Sequence, residues 1–527
     1  MTLKNTATII IIMAVCAIRP QGAHAQDAWQ EARRESACAR LAKGITYRTE
    51  VQASVSNEKT PLWLNANKYG LSSLDKANGY VRTAIERPLQ ADSARHWAVG
   101  YAVDIAVPAG YTSAFVVQQA FVEARWLHGT LGIGAKEYPM ELKNQRLSSG
   151  SQTLGINARP VPQARIALPE YWALPFAKGW LHVKGHIAYG IMTDDSWQHK
   201  FTGKRSKYAD NVLYHSKAGY IKIGNGAAPL SLELGLEMAE LFGGKPYRQN
   251  RDGVMERIPT NTGLSAFWNA FVPGGKDASD GMYKNNEGDI LGSWLMRASY
   301  DREKWRLSVY ADHFFEDHSQ MFFLDNNGYG TGSEWNKRVH NRYFMYDFKD
   351  IMLGGELNLK RGTWLRDIVV EYLYTKYQSG PYNHDRTQNI SDHVAGTDDY
   401  YNHGTYTGWQ HWGQVMGNPL YRSPIYNTNG KIRVYDNRFW ALHFGASGRP
   451  TKRLEYRALA TYQEGWGTYA DPFTKRHHNI SILTETTYSL GRGWKTTAAY
   501  AMDFGSRQML GHNTGVQITV SKEGLLK

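Results

Sequence analysis

Residues 97–107 read WAVGYAVDIAV. In an extended chain, side chains two apart share a face. Trp97, Val99, Tyr101, Val103, Ile105 and Val107 therefore point one way, and Ala98, Gly100, Ala102, Asp104 and Ala106 the other. One face suits hydrocarbon; the other is small or charged. The same period recurs where Leu181, Val183, Ile187, Tyr189 and Ile191 oppose His182, Lys184 and His186. It recurs where Leu232, Leu234, Leu236 and Met238 oppose Glu233 and Glu237, and where Trp494, Tyr500 and Met502 oppose Lys495, Thr497 and Asp503. A soluble sandwich produces this in a few strands. Repetition along most of the chain favours a membrane-spanning barrel with a polar lumen.

The connections point the same way. Tight turns lie at 301–304, 360–363, 447–452 and 490–493, and long polar segments near 242–290, 315–348, 378–436 and 464–478. Short and long connections alternate, as they do when short periplasmic turns oppose long outer loops. With about 17 strand candidates and an even number required, 16–18 strands follow, 18 being favoured. The expected fold is all-β: a transmembrane antiparallel β-barrel with a short helical N-terminal segment and long extracellular loops.

Residues 1–25 read as a secretory signal, with Lys4, the apolar run Ile9–Ala17 and Ala23-His24-Ala25 before the cut. Residues 26–527 then form one domain, with 26–78 a candidate helical or plugging segment and Asp27–Ala42 its helix. After Ala25 no run is long and apolar enough for a spanning helix. Cleavage leaves Cys38 as the sole cysteine, so no intramolecular disulfide is available. The net charge of +13 favours acidic partners, and export leaves outer-membrane lipid and acidic polysaccharide rather than nucleic acid. The 33 Tyr and 17 Trp suit interfacial girdles and sugar-stacking loops.

No Gly-x-Ser-x-Gly elbow, Walker A loop, HExxH pair or CxxC motif occurs. Asp325-Asn326-Asn327-Gly328 lacks the ligand spacing of a calcium loop and reads as a turn. His477-His478 has no metal-grade spacing. The expectation is a protein without catalytic residues, metal or cofactor, although a hydrolase built from neighbouring strands leaves no linear motif.

Several stretches resemble the Wzi-type capsule assembly family in its Bacteroidetes branch: PLWLNANKYGLSS (61–73), GYVRTAIERPL (79–89), QQAFVEARW (118–126), GWQHWGQVMGNPL (408–420) and GVQITVSKEGLL (515–526). The resemblance spans nearly the whole mature chain and is carried by the order of its motifs. It implies an 18-stranded barrel of the Gram-negative outer membrane, with helical elements near the N-terminus. It also implies a lectin-like role in attaching or organising capsular polysaccharide.

Read by themselves, Pro61, Trp63, Asn65, Asn67, Tyr69 and Gly70 suit a turn or cap, folding this segment against the barrel wall or lining the lumen. The 378–436 loop gathers Tyr400, Tyr401, Tyr406, Trp409, His411 and Trp412 among His, Asn and Gly, with Arg422 following. Two uses fit: stacking on sugar rings, or packing the loop on itself as a lid. Arg422, Lys431 and Arg433 could meet the carboxylates of an acidic polymer, or stay solvated. Trp335 and Arg338, in the 315–348 loop, are lesser candidates for the same surface. The partner would be capsular or another surface polysaccharide, bound by a monomer. The alternative is a porin-like channel for oligosaccharides or small solutes, with Lys184, His186, Arg297 and Glu371 lining the pore.

Overall fold

A chain that must hide backbone N–H and C=O groups from lipid has to close its sheet on itself. This one does. The structure is a computed structural model, and it describes residues 41–93, 96–272, 288–316, 327–329, 332–334, 336–340, 350–384 and 393–526. Eighteen strands form one antiparallel sheet: β1 (Thr46–Ser56), β2 (Ala77–Arg87), β3 (Trp97–Ala109), β4 (Val116–Trp126), β5 (Gly129–Ala135), β6 (Gln163–Ala173), β7 (Leu181–Ile191), β8 (Leu213–Ile223), β9 (Leu230–Phe242), β10 (Gly288–Asp301), β11 (Trp305–Glu316), β12 (Ile351–Leu359), β13 (Asp367–Tyr374), β14 (Phe439–Gly448), β15 (Leu454–Gly467), β16 (Pro472–Gly491), β17 (Trp494–Gly505) and β18 (His512–Leu525). Each pairs with its sequence neighbour. Closure comes at β1, where Val51 lies opposite both Val81 of β2 and Val520 of β18.

The quoted stretch is β3. Ala98, Ala102, Asp104 and Ala106 are buried, whereas Trp97, Val103 and Val107 are exposed. Exposed apolar side chains also mark Val51, Ile133, Ile166, Val309, Phe444 and Ile518 on other strands. Such a belt is what a barrel wall presents to acyl chains. The inward charges pair instead: Arg82 of β2 donates to Asp104 of β3 and reaches Glu137, while Arg297 of β10 meets Glu356 of β12 at 2.7 Å.

Both described ends of the chain lie at the end of the barrel with short turns, such as 127–128, 302–304 and 492–493. Most of the long connections leave the opposite end. One expected long segment is not a loop. Residues 464–478 lie largely in β15 and β16, joined by the turn at 468–471. Glycines and charges there resemble loop composition because the hairpin projects past the apolar belt. Alternation of lipid-grade and polar residues is then no longer required. Its Arg476 and Glu464 pair at 2.9 Å instead.

The 26–78 segment also divides differently from expectation. Residues 46–56 and 77–78 belong to the wall, and only the 57–76 connection plugs. Residues 1–40, with the signal and nearly all of the Asp27–Ala42 helix, lie outside the described residues.

Candidate functional site

Among the described residues, three connections enter the lumen. The first, 57–76, carries the short helix α1 (Leu62–Asn65), all four residues of which are buried. Leu62 N–H donates to Asp503 of β17 at 3.1 Å, and Trp63 Nε1 to Thr461 of β15 at 3.2 Å. A Pro-Leu-Trp-Leu run suits this place, since Pro61, at the N-cap, has no N–H where a helix start would leave one without an intrahelical partner.

The second, 136–162, crosses the lumen and is held by carboxylates of the wall. Lys143 Nζ meets Asp312 of β11 at 2.7 Å, with both side chains buried, and Gln152 N–H donates to the same carboxylate at 3.1 Å. Ser148 Oγ and Ser149 N–H donate to Glu371 of β13 at 2.6 and 2.8 Å. Asn144 reaches Glu356 at 3.0 Å, and His443 Nε2 of β14 lies 2.8 Å from Leu147 O.

The third, 375–438, carries the residues singled out in the sequence, and the structure brings most of them together. Tyr400, Tyr401, Tyr406, Trp409 and His411 are buried, none more than 2% exposed. Trp409 Nε1 donates to Thr153 O at 3.0 Å, Tyr406 OH to Gly243 O at 3.1 Å and Tyr400 OH to Asp350 at 2.9 Å. Tyr401 donates to Gln152 O and accepts from Asn418 N–H. Tyr401 also stacks near Tyr421, with ring centroids 4.1 Å apart. A ring with no exposed face cannot receive a sugar. Of the two expected uses, packing the loop as a lid is the one this geometry serves.

Trp412 and Arg422 remain half-buried. The Arg159 guanidinium lies 4.1 Å from the Trp412 ring. Arg422 gives its donors to Met509 O, Asn427 and Tyr426 O, all within its own neighbourhood. Trp335 and the side chain of Arg338 lie outside the described residues, although the backbone of Arg338 forms a short strand with Asn327–Tyr329.

The plug tip is a two-residue hairpin. Gln410 and His411 pair with Val415 and Gln414 across Trp412 and Gly413, both at positive φ (57° and 79°). That is the primed turn whose twist matches its strands. A Cβ on Gly413 would strike the Trp197 ring at 2.4 Å, so glycine is needed twice over.

His411 and Asp436, two buried groups of this lid, pull in opposite directions. Burial lowers His411 to about 4, although the carbonyl oxygens of Arg159 and Thr193 lie at 2.8 and 2.6 Å. Burial pushes the Asp436 carboxyl up to about 7. His411 thus adds stability that is present above about 6.5 and lost as pH falls through 4. Asp436 adds stability that is present below about 3.8 and lost as pH rises through 7. In the native lid Asp436 offsets His411 between pH 4 and 7, while His403, lowered to about 4 by burial and by nearby Lys207, acts in the same direction as His411. Asp436→Asn should leave both histidines unopposed, so opening of 398–437 becomes at least roughly a hundredfold more frequent at pH 4 than at pH 6.5. Amide exchange, corrected for intrinsic rates, measures it; an unchanged pH profile would refute the assignment.

Above the lid, at the long-connection end, lies a cleft of about 530 Å³. Its walls include Lys207, Asp398, Asp399, Asn402, His403, Lys431 and Arg433. Arg433 bridges Asp399 at 3.1 Å and Asp471 at 2.7 Å, and Lys207 donates to His403 O. The ammonium of exposed Lys431 has no ion-pair partner among the described residues. Sequence reading named Lys431 and Arg433 but missed the carboxylates. Asp289 and Glu316 of the cleft lie far along the chain from Asp398 and Asp399 and form no motif with them, and only the folding of the 375–438 connection brings the four to one cleft.

Below the plug, a second cavity of about 930 Å³ opens toward the short-turn end between Gln90, His96, Leu127 and His128, and reaches up to Arg165, Tyr138 and Trp409. The plug therefore separates two chambers. Of the proposed pore-lining residues, Arg297 donates to Leu142 O of the plug and Glu371 accepts from it, while His186 Nε2 lies 3.1 Å from Ser216 Oγ and Lys184 pairs with Glu141.

A closed 18-stranded antiparallel wall, an apolar belt and a lumen filled by its own connections define a β-barrel of the bacterial outer-membrane class. The chain is similar in structure to Wzi, an outer membrane protein involved in group 1 capsule assembly in Escherichia coli and a carbohydrate-binding β-barrel. That likeness has a TM-score of 0.54 at 13% identity, over 98% of this chain and 92% of the other. OprD of Pseudomonas aeruginosa aligns with a TM-score of 0.43 at 7% identity, over 92% and 96% of the two chains. OmpT of Vibrio cholerae aligns with 0.34 at 7% identity, over 91% and 97%. No family model and no curated protein sequence matches the chain. At such identities the likeness is one of fold.

Proposed function

We propose that this protein is a non-enzymatic outer-membrane anchor that holds surface polysaccharide, capsular in kind, at the cleft above its lid. The observation that carries the reading is the cleft itself, walled by the carboxylates Asp398 and Asp399, the Asn402 amide and three basic side chains, Lys207, Lys431 and Arg433. Hydroxyl-rich ligands need such mixed donors and acceptors on a preorganised frame. The E. coli barrel that it resembles, itself a carbohydrate-binding capsule-assembly protein, supports the same reading, as does the motif order shared with the Bacteroidetes branch of that family. The buried tyrosines and Trp409 then pack the 375–438 connection rather than touch sugar. One cleft binds weakly, and many copies along one repeating polymer sum to high avidity.

Lys431→Ala/Arg433→Ala should weaken binding of polysaccharide extracted from the producing cells by roughly tenfold, the loss expected for charge-assisted contacts. Heat-modifiable migration of the folded barrel should be unchanged. Equal binding by the variant and the parent protein would move the site elsewhere.

A further inference from the structure

The connection between β9 and β10 contains a second kind of element. Helix α2 (Leu264–Phe271) reads LSAFWNAF and carries no charged residue. It lies outside the barrel, not in it. Ala266 and Ala270, four apart, are fully buried in a cluster with Phe242, and Tyr189, Leu213 and Phe267 pack against it. Phe267 meets Phe242 edge-on at 5.3 Å, and Tyr189 OH donates to Phe267 O at 2.8 Å. Lys217 Nζ caps the last turn, donating to Ala270 O at 2.9 Å and Phe271 O at 2.5 Å.

The register shows which side of the wall this is. Ile187 lies opposite Lys217, Tyr189 opposite His215, and Ile191 opposite Leu213. Residues directly opposite in an antiparallel ladder share a face. Ile187 and Ile191, exposed at 41% and 40%, belong to the apolar belt, and so does Ile221 further down β8. Lys217 and His215 therefore point toward lipid, as does Glu240, opposite His215 on β9. In a wall tilted by about 45°, each residue climbs roughly 2.4 Å. Lys217 then stands about 14 Å above Ile223, inside a belt about 25 Å tall. Yet His215 and Glu240 are buried, at 1% and 2% exposure. The helix is packed over this part of the wall. Its far side shows Leu264, Trp268 and Val272, one helical stripe at 89%, 62% and 45% exposure.

We infer that α2 is inserted in the outer leaflet, its Leu264–Trp268–Val272 stripe among lipid acyl chains, its other face shielding Lys217, His215 and Glu240 from them. Continuity with the apolar belt selects lipid as the occupant. An ionisable group facing hydrocarbon is costly and needs a cover, and an uncharged helix apolar on both faces is stable only between protein and lipid. The helix also tethers the 243–272 stretch of this connection to the membrane surface beside the mouth.

The test is spin-label accessibility. In a Cys16→Ser/Cys38→Ser background, the full chain is labelled at Leu264→Cys or Trp268→Cys and reconstituted in phosphatidylcholine vesicles. Collisions with oxygen should exceed those with a water-soluble nickel chelate several-fold at both positions. The exposed Glu256→Cys, on the same connection, should report the reverse. Nickel exceeding oxygen at 264 and 268 would place the helix in water and overturn the inference. Low collision rates with both reagents, together with spin–spin broadening, would assign the stripe to a second copy and overturn it equally. Both labelled positions are exposed, and heat-modifiable migration verifies folding before each measurement.

Discussion

Replacing residues 137–160 with a four-residue Gly–Ser turn should convert a silent barrel into a conducting, cation-selective pore. The exchange is geometrically mild. β5 and β6 are antiparallel neighbours with Gly134 opposite Gln163, so their ends already stand where a short turn joins them. What leaves is the segment that holds Asp312, Glu356 and Glu371, and on which Trp409, Tyr401 and Asn418 rest. Freed wall carboxylates would be hydrated by lumen water rather than stranded, so the closed sheet should survive. A ring of acids lining a pore favours cations. In planar bilayers the parent protein should show no stepwise current, and the shortened protein should show it at once. Comparable conductance in both would mean that the lumen is already open, which would favour the channel reading over the anchor.

The second large effect concerns one ion pair. Lys143→Met should strand the Asp312 carboxylate, which is fully buried and otherwise has the Gln152 N–H at 3.1 Å. Removing one partner of a buried pair costs about 3–5 kcal/mol, because the remaining charge loses its compensation. Opening of the 136–162 segment should become roughly a hundred to a few thousand times more frequent. Amide exchange along that segment reads it directly. Lys143→Met/Asp312→Leu should recover most of the loss, since two apolar groups of similar volume need no counter-charge. If the single variant changes exchange less than about tenfold, the pair is not the clasp described here.

Both predictions depend on lumen contacts, and these were the least legible part of the sequence. Alternation identified the wall because lipid imposes one rule on every strand: outward side chains that meet hydrocarbon must be apolar. Trp97–Val107 obeys it residue by residue, and the turns at 301–304 and 490–493 fall where expected. The rule stops where lipid stops. Residues 464–478, read as a loop, are strand beyond the belt. At the 375–438 connection, density of Tyr and Trp indicated an ordered structure but not which way the rings faced. Aromatic rings serve a lid and a sugar platform equally well in composition. Partners 249 and 256 residues away, Gln152 for Tyr401 and Thr153 for Trp409, settle the question for those two.

The amino-acid order alone pointed to a closed antiparallel wall with its inside and outside, because period-two patterning is local and hydrocarbon tolerates few uncovered exceptions. Tertiary structure alone decided that the lumen is filled, that Lys143 meets Asp312 and Ser148 meets Glu371, and that a helix from the β9–β10 connection lies on the outer wall. Those outcomes arise from contacts between segments tens to hundreds of residues apart, where charge and shape must match in space, and no local pattern records the match.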